Sequence, residues 1–178
     1  IVFAALALAG AIETVRAAAR IAREGGARVI LNPAPACPLD DEILKMVSII
    51  TPNDKEAAML TGIPVDHDRG VEAAADALLA RGTGSAVITL GAKGSYIVSL
   101  EFSGSSPCFP AECIDSTAAG DVFNGALAVA LAEGNGMREA VRFASAAAAI
   151  SVTRMGAQPS APFREEIERL LASDSDSR

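Results

Sequence analysis

The segment from Asp115 to Asp121 combines residue types in a spacing that suits phosphate chemistry. Its small residues Ala118, Ala119 and Gly120 lead directly into an apolar stretch with helical spacing, so the first amides of that helix point at one spot. Unpaired amides at a helix start bind anions, and small residues let a phosphate approach the backbone. Asp121 has two interpretations. It is either a helix cap or first-turn acid, which any protein uses, or a general base that removes a proton from an attacking hydroxyl.

Strands and helices alternate around this segment. Short apolar runs predict strands at residues 2–8, Arg28–Leu31, Val47–Ile50, Ala86–Leu90 and Ser95–Leu100. Helical spacing predicts helices from Ile12 to Gly25, from Asn53 to Thr61, over 69–81, from Asp121 to Gly134, over 137–152 and over 162–172. This order predicts an α/β fold with a mostly parallel, Rossmann-like sheet, helices on both faces and a hairpin at Gly91–Gly94. Residues 1–172 are predicted to form one domain, followed by a polar tail at 173–178.

Composition excludes several classes of partner. The 178 residues carry a net charge of −7 without a run of Lys or Arg, which argues against nucleic acid and anionic membranes as partners. No stretch approaches the roughly 18 apolar residues of a membrane span. Cys37, Cys108 and Cys113 lack metal-ligand spacing and indicate reduced thiols and a cytoplasmic protein. His67 has no second ligand nearby and is predicted to be a solvated loop residue.

The start of the chain and the absence of one motif add two further expectations. The opening residues lack an initiator Met and the basic region of a signal peptide, which favours a buried strand entered mid-chain. No G-x-G-x-x-G motif follows this strand, so a dinucleotide-dependent dehydrogenase is not expected.

The segment DSTAAGDVFNGAL at 115–127 closely resembles the second signature of the ribokinase-like (PfkB) family of carbohydrate kinases. Four other segments resemble family elements in the right order. Asn32–Ala36 is similar to a loop after a central strand, Thr51–Ala57 to the Asn-x-x-Glu element, Thr89–Gly94 to the nucleotide-side turn, and Thr153–Ser160 to the segment flanking a monovalent cation. The resemblance therefore covers essentially the whole chain.

The resemblance implies ATP-dependent phosphorylation of a sugar primary hydroxyl, most simply that of D-ribose to give ribose 5-phosphate. Asp121 is implied to be the base and a sugar contact, and the backbone amides of Ala119, Gly120 and Asp121 are implied to form the anion hole. ATP, Mg²⁺ and K⁺ are the implied cofactors, a small sugar and ATP are the implied partners, and a homodimer is compatible with the family. The family's N-terminal part and its β lid are expected to be missing from this sequence.

The resemblance also implies individual ligands. The implied nucleotide-binding residues are Asn53, Glu56, Thr89, Leu90, Gly91, Ala92, Lys93, Gly94, Gly120, Asp121 and Ser145. Glu56 is implied to hold Mg²⁺ through a water molecule. The implied K⁺ ligands are backbone carbonyls near Asp115, Thr117, Ser151, Arg154 and Gly156, with the Ser160 hydroxyl close by. Without the family, Asn53 and Glu56 are explained equally well as a capped helix start, and Ser160 as a helix cap.

The sequence departs from the family at Ala9, where many members have a Glu that reaches the sugar. Two alternatives therefore stay open. The chain belongs to another sugar or nucleoside kinase of the family, such as a fructokinase or deoxyribokinase, or it is a truncated nucleotide-binding module without kinase activity.

Overall fold

Within the described residues, six strands form one sheet in the order in which they occur along the chain. The computed structural model describes residues 2–5 and 12–175. Its strands are β1 Val2–Ala5, β2 Val29–Asn32, β3 Ile49–Ile50, β4 Ala86–Thr89, β5 Ser95–Val98 and β6 Ser103–Ser106. Neighbours from β1 to β4 are parallel, and β5 runs antiparallel to β4. The prediction of a mostly parallel α/β sheet with a hairpin after β4 is confirmed.

The described residues fall into two structural units. The first unit comprises 2–5, 12–91 and 95–105, and the second comprises 92–94 and 106–175. The helices of the first unit are α1 Ile12–Glu24, α2 Asp41–Leu44, α3 Asp54–Thr61 and α4 Asp68–Ala80. Those of the second are α5 Ala119–Ala132, α6 Met137–Ser151 and α7 Arg164–Ser175.

One hydrophobic core holds the helices of the first unit against one face of the sheet. It includes Val15 of α1, Leu60 of α3 and Leu78 of α4, which are spaced to lie on the inner side of each helix. Alternate residues of the strands, such as Leu31 and Ile88, complete it from the sheet. The predicted helices at these positions are confirmed within one residue at either end.

The predicted strand Ser95–Leu100 is two residues too long, because a turn stabilised by Ser99 interrupts it. The amide of Ser99 donates to the carbonyl of Phe102, and the Ser99 hydroxyl accepts from the amides of Glu101 and Phe102. Leu100 therefore stands fully exposed at the tip of the turn. This turn connects β5 to β6, a strand that its Ser- and Gly-rich sequence did not predict.

Several further elements differ from the prediction. Strand β3 starts two residues after the predicted Val47, and α5 starts two residues before Asp121 and ends two residues before Gly134. The short helix α2 was not predicted, and it starts where the Asp40 carboxylate accepts a hydrogen bond from the amide of Ile43. Helix α7 continues to Ser175, three residues beyond its predicted end. Asp174, in its last turn, forms an ion pair with Arg142 of α6 at 2.7 Å, which ties the polar end of α7 to its neighbour.

The structure also bears on the membrane, cysteine and histidine predictions. No helix in the described part of the chain is long and apolar enough to cross a membrane. Cys37, Cys108 and Cys113 are free thiols. His67, predicted to be a solvated loop residue, caps α4: its Nδ1 accepts from the amide of Gly70 at 2.9 Å, while the side chain stays largely exposed.

Candidate functional site

Helix α5 begins without a side-chain cap, which leaves backbone amides available to a ligand. Ala118 precedes the helix in the left-handed conformation, and the amide of Ala119 donates to the carbonyl of Ser116 at 3.2 Å. Within residues 12–175, the amides of Gly120 and Asp121 have no hydrogen-bond acceptor. These two donors and the positive end of the α5 dipole favour an anion. Of the three amides predicted to form an anion hole, the Ala119 amide is thus already engaged.

Asp121 is an exposed residue in the first turn of α5. Its carboxylate has neither a hydrogen bond nor an ion pair with any residue that the structure describes. Because Ala118 occupies the cap position, Asp121 does not cap the helix, and the interpretations left are a first-turn acid and a general base. An unengaged carboxylate beside two unpaired amides has the groups needed to accept a proton while the amides hold a phosphoryl group.

A cleft of about 500 Å³ opens beside Asp121 in the second unit. Residues of α5, α6, the Ala157–Pro162 segment and the start of α7 line it, and Asp121, Gln158 and Arg164 are the polar side chains among them. The remaining lining is apolar, from residues such as Val122 and Phe143. The cleft therefore offers few hydrogen-bonding groups of its own to a polyhydroxylated ligand.

Ala118 stores backbone strain at the entrance to α5, since its φ of 60° lies in the region that favours glycine. We expect Ala118→Gly to stabilise the second unit by about 0.5–1 kcal/mol, because relief of the left-handed strain exceeds the entropy gained by the unfolded chain. The melting temperature is then expected to rise by about 1–4 °C. Ala128→Gly inside α5 is the control, and it is expected to cost about 1 kcal/mol. A loss of stability in Ala118→Gly would contradict this reading of the backbone.

The Asp115 carboxylate connects two segments that the sequence separates. Its Oδ1 accepts from the amide of Thr117 at 2.9 Å, and its Oδ2 accepts from the amide of Gly156 at 2.8 Å. Hydrogen bonds from the Thr117 side chain and from the amides of Gly156 and Thr117 lower the pKa of Asp115 below its usual range. The segment before α5 and the loop after α6, both implied to hold K⁺, are thereby brought together.

The other implied K⁺ residues vary in burial. Ser151 and Ser160 are buried. The Ser151 carbonyl, the implied ligand, accepts a hydrogen bond from the amide of Arg154 at 3.1 Å. The Ser160 hydroxyl donates to the carbonyl of Ala157 at 2.7 Å, so its oxygen lone pairs stay available to a cation. Thr117 is exposed, and an ion pair with Glu166 at 2.5 Å balances the charge of the Arg154 guanidinium.

Asn53 and Glu56 form a capping box at the start of α3. The Asn53 Oδ1 accepts from the amide of Glu56 at 2.9 Å, and the Glu56 Oε2 accepts from the amide of Asn53 at 2.8 Å. Burial raises the pKa of Glu56 above its usual value, against the opposing effect of its hydrogen bonds with Asn53. The buried Glu56 carboxylate accepts a hydrogen bond from the Asn53 amide through Oε2. A nearby cation would offset the free-energy cost of burying its negative charge.

The end of β4 lies next to the start of α3. Asn53 forms an isolated parallel bridge with Thr89, so the structure brings together three of the implied nucleotide residues, Asn53, Glu56 and Thr89, in the first unit. Leu90 follows, and a short 3₁₀ turn at Gly91–Lys93 leads to Gly94 and β5. In the second unit, Ser145 is a buried residue of α6. Ala9 lies outside the described residues.

Position 94 requires glycine, both for its backbone conformation and for the close approach of its neighbours. Its φ is +91°, and an added Cβ would lie 2.1 Å from the carbonyl oxygen of Ser106. We expect Gly94→Ala to cost more than about 2 kcal/mol, because backbone strain and a backbone clash add. Gly91→Ala is the control: at φ +58° with open space around it, it is expected to cost about 1 kcal/mol. Equal urea midpoints for the two variants would refute the close approach at Gly94.

The chain is similar to proteins of known family and structure. The family model described as pfkB family carbohydrate kinase matches residues 2–164. The ribokinase of Haemophilus influenzae is 46% identical over 157 residues, which are 88% of this chain and 51% of that protein. The structure of Arabidopsis thaliana ribokinase complexed with ribose and ATP matches with a TM-score of 0.86 and 32% identity, over 90% of this chain and 52% of that one.

A ribokinase structure from Thermotoga maritima also matches, with a TM-score of 0.79 and 42% identity over 87% of this chain and 52% of that chain. These matches confirm the ribokinase-like α/β fold. The chain spans about half the length of the curated relatives it matches.

Proposed function

Because the chain belongs to the pfkB family of carbohydrate kinases, we propose that it forms the nucleotide-binding and catalytic part of an enzyme that transfers the γ-phosphoryl group of ATP to the primary hydroxyl of D-ribose. Similarity to ribokinases over nearly the whole chain supports ribose as the acceptor. The cytoplasmic location stays a prediction from the three cysteines, and the homodimer stays a prediction from the resemblance.

The observation that carries the proposal is the start of α5, where two unpaired amides lie beside an unengaged carboxylate. In the proposed reaction, the amides of Gly120 and Asp121 stabilise the negative charge on the transferring phosphoryl group. Asp121 accepts the proton of the C5 hydroxyl as that oxygen attacks the γ-phosphorus, and the bond to the β-phosphate oxygen breaks to release ADP. Positioning and charge stabilisation are most of what such a site supplies.

Two cation sites are proposed. Glu56 is assigned to Mg²⁺, and the loop in which Asp115 binds the amides of Thr117 and Gly156 is assigned to K⁺. Glu56 is proposed to accept hydrogen bonds from water molecules of Mg²⁺, since Mg²⁺ keeps several waters and takes few protein oxygens. Bound with ATP, Mg²⁺ neutralises phosphate charge. The loop held by Asp115, together with the buried Ser160 hydroxyl, is the proposed K⁺ site.

A second candidate function is a nucleotide-binding module without sugar phosphorylation, which the apolar lining of the cleft permits. Only three of the side chains lining the cleft in the second unit are polar, so the described residues there provide few partners for sugar hydroxyls. A module of this kind binds ATP at the start of α5 and transfers no phosphate.

A substrate panel separates these functions. ADP release is measured with ATP, Mg²⁺ and K⁺ in the presence of ribose, 2-deoxyribose, fructose or adenosine, alongside calorimetric titration of ATP. Ribose-dependent ADP release with weaker responses to the other acceptors supports the first function, and ATP binding without any acceptor-dependent release supports the second. A chain that binds no ATP contradicts both.

A further inference from the structure

The side chain of Asn32 contains a buried polar atom without a partner. Asn32 is the last residue of β2 and is 6% exposed, and its Oδ1 has no hydrogen-bond partner in the part of the chain that the structure describes. Buried amide oxygens are nearly always paired, since an unpaired one bears the full cost of losing its water. An acceptor in this state at the end of a strand is a candidate ligand-binding atom.

The register of the sheet defines which way Asn32 faces. Leu31 pairs with Ile50, and both contribute to the core on the face that carries α1, α3 and α4. Successive strand residues face opposite sides, so Asn32 and Thr51, the next residues of these two strands, lie level with each other on the other face. At the strand spacing of about 4.8 Å, the two side chains are neighbours.

The same edge of the sheet continues with further polar residues. Asn53 follows Thr51 by two positions and bridges to Thr89, which pairs with Ser95 at the start of β5. Ser95 is 2% exposed, and its Oγ also has no partner among the described residues. We call these five residues the polar row: Asn32, Thr51, Asn53, Thr89 and Ser95.

The hydrogen-bond acceptors in and beside the polar row indicate the kind of ligand. The unpaired atom of Asn32 is an acceptor, and α3, which starts directly after Asn53, adds the Glu56 carboxylate. These two acceptors repel a phosphate oxygen, which is itself an acceptor. They can bind a hydrogen-bond donor, such as a water molecule polarised by a cation. Two residues along a strand span about 6.6 Å, whereas an acceptor that binds a water of Mg²⁺ lies within about 5 Å of the ion. These lengths are compatible with one hydrated ion at this edge of the sheet between Asn32 and the start of α3.

We propose that Asn32 is a positioning residue for Mg²⁺, with its Oδ1 accepting a hydrogen bond from a water molecule of the ion that Glu56 also holds. The inference rests on the proposed function, because it assigns a further residue to that nucleotide site. Partners of this kind orient the ligands of a metal, and their loss commonly lowers metal affinity by about 10–100-fold.

Stability provides an independent signature of this role. Asn32→Leu keeps the volume of the side chain and removes the unpaired acceptor, so the melting temperature is expected to stay level or rise. If Asn32 served only to stabilise the fold, Asn32→Leu would lower the melting temperature. The matched control is Thr83→Val, which removes a buried hydroxyl of the first unit that donates to the carbonyl of Leu78 at 3.0 Å.

The experiment is calorimetric titration of ATP, with Mg²⁺ or with EDTA, into the wild-type chain, Asn32→Leu, Asn32→Asp and Thr83→Val. We expect Asn32→Leu to weaken ATP binding in Mg²⁺ about tenfold and to change metal-free ATP binding by less than about twofold. Asn32→Asp, which keeps the acceptor and adds charge, retains the gain in affinity from Mg²⁺. Thr83→Val lowers the melting temperature and leaves that gain unchanged.

Each other outcome overturns a defined claim. Three results overturn the role of Asn32. In the first, Mg²⁺ raises the ATP affinity of Asn32→Leu as much as that of the wild type. In the others, Asn32→Leu loses ATP affinity equally with and without Mg²⁺, or Asn32→Asp behaves as Asn32→Leu does. Wild-type binding of ATP that does not depend on Mg²⁺ overturns that role too, while nucleotide binding stands. A wild-type chain that binds no ATP under either condition overturns the proposed function itself.

Discussion

Replacing Asp121 by asparagine is expected to lower kcat for ribose phosphorylation by about 10²–10⁴-fold, because the general base is lost. The amides of Gly120 and residue 121 stay in place, so the affinity for ATP with Mg²⁺ is expected to change by less than about threefold. Since the chain spans about half the length of its relatives, ADP release is measured with this chain and with a chimera in which it replaces the corresponding half of the Haemophilus influenzae ribokinase.

Asp68→Asn is the matched control for this variant. Asp68 is the first-turn acid of α4, so its substitution reproduces any effect of removing a negative charge from a helix start. The control is expected to match Asp121→Asn in stability and to keep wild-type turnover. A chimera carrying Asp121→Asn that turns over at the wild-type rate would show that Asp121 is a first-turn acid and nothing more.

Replacing Glu56 by glutamine is expected to raise the Mg²⁺ concentration required for ATP binding by about 10–100-fold. The glutamine side-chain oxygen still accepts from the amide of Asn53, so the capping box is retained. Removal of a buried charge leaves the free energy of unfolding unchanged or higher. The measurements are ATP titrations at a series of Mg²⁺ concentrations, together with urea unfolding of the same variant.

Glu56→Leu separates the two roles of this side chain. It removes the carboxylate and the capping interaction together, so it is expected to lose about 1 kcal/mol of stability in addition to the Mg²⁺ effect. If Glu56→Gln keeps the wild-type Mg²⁺ dependence while Glu56→Leu loses stability, Glu56 serves only as a helix cap.

Elements defined by local chemistry could be predicted from the sequence. Asn53, followed by Glu56 at the third helical position, is a capping box whose interactions span three residues, and the predicted start of α3 is confirmed. Its end is equally local, because Gly62 adopts a left-handed conformation directly after Thr61. The apolar runs that became β2 and β4 are likewise read from a few neighbouring residues.

Features that depend on distant residues could not be predicted in this way. The Asp115 carboxylate binds the amide of Gly156, 41 residues away, and no spacing rule relates these positions. Asn32 was noted only as part of a loop similar to the family's, because its unpaired oxygen becomes apparent once β2 and β3 are in register. The left-handed conformation of Ala118 could not be predicted either, because alanine rarely adopts a positive φ.

The proposal that the start of α5 binds the phosphates of ATP is tested most directly by a ¹⁵N NMR titration of the chain with ATP and Mg²⁺. The amide signals of Gly120 and Asp121 are predicted to move downfield, because these two donors gain an acceptor. The Ala119 amide, already bonded to Ser116, is predicted to move less, and the amide of Leu127, inside the helix, to stay in place. Saturable ATP binding that leaves the Gly120 and Asp121 amides unmoved would contradict the proposal.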